Sequence, residues 1–173
     1  MNELLTLKTA VVIGVGLAAC VTDLRSRRIP NVLTFGATGA ALIYGATSGW
    51  SGLGSAALGW LIGAAAFIIP FALRGLGGGD VKLLAAIGAW LGPQGAIWLA
   101  LYTGVAGGVM SIVVALASGY LKQAVRNVGL LITHWRVCGV QAVSEISLEG
   151  STGPRLAYAL PIFAGLVATL WLK

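Results

Sequence analysis

The sequence predicts an all-α integral membrane protein of about six transmembrane helices, with both termini on the same side. Three observations predict it. Of 173 residues, 58% are hydrophobic and only 9% charged, and the mean hydropathy is +0.93. A soluble domain of this length needs far more charged surface. The apolar residues gather in long runs, as bilayer spans require. Lys and Arg fall in alternate loops between those runs, as membrane orientation requires.

The runs cover about residues 5–22, 32–48, 53–73, 81–92, 96–120 and 155–172. A span takes about 20 apolar residues at 1.5 Å rise each. Five runs come close to that length. The fourth is short and stops at Gly92-Pro93, so it starts inside the membrane boundary or sits behind other helices. The loop after the first run holds Arg25, Arg27 and Arg28. The loop after the third holds Arg74, with Lys82 just beyond it, and the stretch between the last two runs holds Lys122, Arg126, Arg136 and Arg155. The loops near Trp50 and at 92–95 carry no Lys or Arg. The 26 glycines lie mostly inside apolar runs, where small residues let membrane helices approach closely.

Residues 121–138 mix basic and apolar side chains and suit an amphipathic helix on the membrane surface. Residues 139–154, with Glu145, Glu149 and Gly153-Pro154, read as a loop. Residues 1–173 form a single membrane-embedded domain, with 121–154 its surface segment and loop. The net charge of +6 reads as orientation and not as nucleic-acid binding. Cys20 and Cys138 stand far apart with no CxxC pair, which supports neither a metal site nor a redox motif. Both suit small packing positions. Leu17-Ala18-Ala19-Cys20 resembles a lipoprotein cleavage box, but Met1 to Leu7 contains Glu3 and no basic residue, and five apolar runs follow.

Only five residues are acidic: Glu3, Asp23, Asp80, Glu145 and Glu149. Asp23 closes the first run and Asp80 opens the fourth, and the loop alternation puts both on the basic side. Ionisable residues at membrane depth are costly and usually functional. Two carboxylates brought together share one proton. Such a pair can activate water against an amide carbonyl with no covalent nucleophile, metal or other cofactor. Gly77-Gly78-Gly79 precedes Asp80 directly. Three glycines at a helix start cost conformational entropy. Either the backbone there approaches an extended substrate, or the segment is a flexible connection. After Asp23 comes Leu24-Arg25-Ser26-Arg27-Arg28-Ile29-Pro30-Asn31, in which Pro30 and Asn31 suit helix initiation and capping.

At these residues the chain resembles the prepilin peptidase family of GxGD-type membrane aspartic proteases. Gly77-Gly78-Gly79-Asp80 fits Gly-x-Gly-Asp and continues as Val81-Lys82-Leu83-Leu84-Ala85-Ala86. Asp23 followed by Arg28-Ile29-Pro30-Asn31 resembles the family's other catalytic segment. The resemblance implies that Asp23 and Asp80 form a catalytic dyad. It implies membrane-inserted prepilin or pseudopilin substrates, cut after a short basic leader, typically after Gly. It implies a prokaryotic cytoplasmic membrane, in which the alternation of Lys and Arg turns the site to the cytoplasm and leaves both termini periplasmic. Larger members carry paired CxxC motifs associated with N-methylation. Their absence here implies peptidase activity without methyltransferase activity, as in the short tight-adherence, or Flp pilus, subtype. Presenilin-type proteases fit less well, since Ala159-Leu160-Pro161 does not match their Pro-Ala-Leu order.

Lys82, two residues after Asp80, either tunes an aspartate and contacts substrate or snorkels to the interface. Arg28 and its neighbours read acidic substrate residues or simply anchor the loop. His134 suits a solvated position in the basic stretch, and most of the six tryptophans suit an aromatic belt. Glu145 and Glu149 are weak candidates for touching a basic leader. Two other functions fit the same composition. One is a small transporter or channel, which would place acids near span centres. The other is a non-catalytic pilus or secretion assembly subunit packed by its glycines. Neither oligomeric state nor the particular pilin is legible.

Overall fold

The computed structural model describes residues 2–73, 75–139 and 156–172, and among these every regular element is a helix. The order is α1 (Asn2–Ser26), α2 (Asn31–Ala46), α3 (Gly49–Ala72), α4 (Gly78–Ala117), α5 (Leu121–Cys138) and α6 (Ala159–Leu172). Three of them, over Leu7–Ser26, Gly49–Ala72 and Gly78–Ala117, are long and apolar enough to cross a membrane. The chain is a membrane protein. α6 is apolar but shorter. The lipoprotein-like box lies inside α1, which runs unbroken through Cys20 to Ser26.

α4 is a hairpin of two arms. Gly92 takes φ 73° and ψ −178°, a conformation essentially open only to glycine, and Pro93 follows. A Cβ on Gly88 would stand 3.2 Å from that of Ala96. In a straight helix these residues would lie about 12 Å apart. The chain therefore reverses at Gly92, and the arms 78–91 and 93–117 correspond to the fourth and fifth apolar runs. The short first arm sits behind its neighbours: every residue from Leu83 to Trp90 is buried.

Glycines set the spacing. α3 packs most extensively on α4, and a Cβ on Gly63 would come within 2.6 Å of the Leu84 carbonyl oxygen. Gly59 opposes Gly88 in the same way, so the two backbones nearly touch, as small-residue helix interfaces allow. Gly45 meets Gly52 where α2 turns into α3. α6 runs back along both α1 and the second arm of α4, with Gly16 against Phe163 and Gly165 against Thr103. Trp90 is the one tryptophan that reads differently from a belt residue. It is buried, its indole N–H donates to the Ala37 carbonyl at 2.9 Å, and its ring lies against Tyr44. A span-end tryptophan with a buried partner is a strut between α2 and α4.

These contacts give every element one polarity. The ends of α1 and α3 and the starts of α2, of the first arm of α4 and of α6 gather at one end of the bundle. The 47–48 turn and Gly92 lie at the other. α5 leaves the bundle after the second arm and touches α4 only slightly. Its amphipathic pattern holds: Val125, Val128 and Ile132 are exposed on one side, and Lys122, Arg126 and Arg136 are exposed around it. Glu145, Glu149, Gly153-Pro154, Arg155 and Arg74 lie outside the described residues.

Candidate active site

Asp23 sits in the last turns of α1 and is only 7% exposed. A buried carboxylate needs hydrogen-bond donors. The Ala159 N–H, the first of α6, donates to Asp23 Oδ2 at 3.2 Å. An unpaired N–H at a helix start is a natural carboxylate partner. Three residues earlier, the Cys20 thiol donates to the Ala159 carbonyl at 3.3 Å. One turn of α1 thus grips both backbone groups of Ala159 and fixes the start of α6 beside Asp23. Cys20 is the packing residue its composition suggested, with a hydrogen bond added.

Asp80 occupies the first turn of α4. Gly77, extended at φ −77° and ψ 146°, caps that helix, and its N–H donates to Asp80 Oδ2 at 3.2 Å. The glycines before it are tightly packed rather than loose. A Cβ on Gly77 would lie 3.1 Å from the Asp80 carboxylate, one on Gly78 3.3 Å from the Phe71 ring, and one on Gly79 3.2 Å from Ile29. Side chains there would push Asp80 away from α3 and from the segment that follows Asp23. Glycine at 78 and 79 is what allows the start of α4 to sit against both.

The two carboxylates come from residues far apart in sequence, and the start of α4 packs through Gly79 on Ile29, in the segment that follows Asp23. The remaining sequence candidates diverge. Lys82 turns away: its ammonium donates to Asn31 Oδ1 at 3.0 Å and lies 5.2 Å from the Phe35 ring centre. Asn31 consequently does not cap α2. Pro30 occupies the cap position without a side-chain bond, and Asn31 spends its carbonyl oxygen on the stronger, charged donor. Arg28 is exposed on the loop between α1 and α2.

The sequence reading passed over Tyr158. It precedes the residue that holds Asp23, and its ring meets Phe67 edge-on at 6.0 Å between centres. A Cβ on Gly107 would collide with its hydroxyl. No motif marks a lone tyrosine after an undescribed stretch, so only the folded contacts find it. At the opposite end lies a cavity of about 100 Å³ lined by Lys8, Tyr44, Ser48, Ser55, Trp90 and Gly92, among others, with no carboxylate among the described residues of its wall.

The sequence profile of the type IV leader peptidase family matches residues 10–112, which include both aspartates and the glycines before Asp80. The chain belongs to the type IV leader peptidase family. It is 32% identical over 114 residues to a prepilin leader peptidase/N-methyltransferase of Aeromonas hydrophila, covering 62% of this chain and 39% of that protein. The enzyme of the same name from Aeromonas salmonicida strain A449 matches over the same lengths at the same identity. The chain spans about two fifths of the length of these curated relatives. No solved structure matches it.

Proposed function

We propose that this leader peptidase family member is an intramembrane aspartic endopeptidase. It removes the basic leader of type IV prepilins or pseudopilins at the cytoplasmic face of a prokaryotic inner membrane. The observation that carries the reading is the placement of Asp23 and Asp80, on separate helices, at one end of an apolar bundle, where Gly79 beside Asp80 packs on Ile29. That end also bears Arg25, Arg27 and Arg28, so the positive-inside rule turns it to the cytoplasm.

In the proposed reaction the pair holds one proton between two carboxylates. The unprotonated one takes a proton from water as its oxygen bonds to the scissile carbonyl carbon. The protonated one gives its proton to the carbonyl oxygen. As the C–N bond breaks, the leaving nitrogen takes the dyad's proton, and one of the two hydroxyls on the former carbonyl carbon returns its own proton to the dyad as the C=O bond re-forms. The products are a carboxylic acid and an amine, and the pair is again singly protonated. No residue bonds covalently to the substrate and no cofactor enters. Asp23 is held by Ala159 and Asp80 by Gly77, so each keeps one oxygen directed by backbone and one for water or substrate.

The test is co-expression with a short prepilin carrying a basic leader, followed by a mass measurement of the product. Loss of the leader in the presence of the wild-type chain is expected. An intact prepilin, with the chain shown to be in the membrane, overturns the proposal.

A further inference from the structure

Tyr158 stands where a third polar group of this site would stand, and three contacts define its place. Its ring packs on Phe67, one turn from the Phe71 ring that touches Gly78 at the start of α4. Its hydroxyl lies over Gly107 in the second arm of α4, where any side chain would displace it. Its own C-terminal neighbour, Ala159, binds the Asp23 carboxylate through its N–H. The phenol is therefore tied to the elements that carry both aspartates. Among the described residues no group takes its O–H in a hydrogen bond.

Resting on the peptidase reading, we propose that Tyr158 is a further catalytic residue, whose phenol O–H donates to the scissile carbonyl oxygen as negative charge builds there. In the chemistry above, that oxygen otherwise depends on the dyad's one proton. A fixed neutral donor stabilises the developing oxyanion while transferring nothing. An ordinary tyrosine keeps its proton up to a pH of about 10, so the phenol is a neutral donor at working pH. The cradle at Gly107 gives the ring a single seat and so preorganises the donor.

Tyr158→Phe keeps the ring and its contact with Phe67 and removes only the O–H. In proteoliposomes with a purified prepilin, this variant is expected to lose about 10²-fold in kcat with KM unchanged within about twofold, the loss typical of one oxyanion donor. Site-specific difluorotyrosine at 158, whose phenol is more acidic, is expected to move the alkaline limb of the kcat profile to lower pH. A residue with only a packing role would leave that limb in place. Should Tyr158→Phe fail to fold, the difluorotyrosine profile alone decides. Wild-type kcat in Tyr158→Phe, or an unmoved alkaline limb, overturns the inference. A wild-type chain that cleaves no prepilin contradicts the proposed function instead.

Discussion

Asp23 and Asp80 differ in their surroundings. Asp23 is almost fully enclosed and bound to the start of another helix, whereas Asp80 is partly open and bound within its own first turn. Asp→Asn at either position keeps shape and removes the carboxylate. Each variant is expected to lower single-turnover cleavage by at least about 10³-fold while the protein remains membrane-inserted, since residues that act as a unit fail together. Lys82 belongs to a different group. Its ammonium serves Asn31 and Phe35, so Lys82→Gln is expected to change the cleavage rate by less than about tenfold. A loss as large as that of the aspartate variants would show that Lys82 acts on the dyad or on the substrate.

Among the elements, α4 does most to assemble the site, and glycines make its shape possible. Gly92 turns the two arms back on each other through a backbone conformation that an L-residue adopts only under strain. Gly92→Ala adds that strain, about 1–3 kcal/mol, and brings a Cβ to 2.9 Å from Ser55 Oγ. A lowered thermal midpoint in detergent is the expected result. Gly63→Ala drives a methyl into the Leu84 carbonyl and pushes the first arm, with Asp80 at its head, away from α3. It is expected to lose about 1–3 kcal/mol of stability together with cleavage. Gly36→Ala and Gly104→Ala meet no atom within 4 Å and are expected to be silent in both measurements. Equal effects at all four positions would remove the packing argument. α5 presents Val125, Val128 and Ile132 outward between basic residues, the pattern of a helix lying in the headgroup region. A nitroxide on Val128→Cys is expected to be reached by lipid-borne quenchers and shielded from aqueous ones.

For the molecule as a whole, hydropathy and charge carried most of the fold. The alternation of basic loops anticipated which helix ends gather together, because each span reverses the chain and the arginine-bearing connections fall on every second reversal. Gly92-Pro93 was legible as a stop, and the first arm of α4 lies behind other helices, one of the two placements its shortness left open. The aspartates and the glycines before Asp80 were legible as a motif, and topology put both aspartates on one side, but their approach to each other was not legible. Other features were hidden for identifiable reasons. Trp90 resembles any boundary tryptophan until Ala37 is seen to accept its N–H. Asn31 resembles a cap until Lys82 claims it. Ala159 and Tyr158 depend on α6 returning beside α1, a contact between residues 136 apart that no local pattern encodes.

The central claim is that two carboxylates act as one unit on a leader peptide bond. A kinetic cycle on Asp23→Asn, Asp80→Asn and the double variant, measured by single-turnover prepilin cleavage, tests it most directly. The account predicts that each single variant is as slow as the double, because half a dyad has no function left to lose. Losses that multiply independently, or a single variant that cleaves at the wild-type rate, would contradict it.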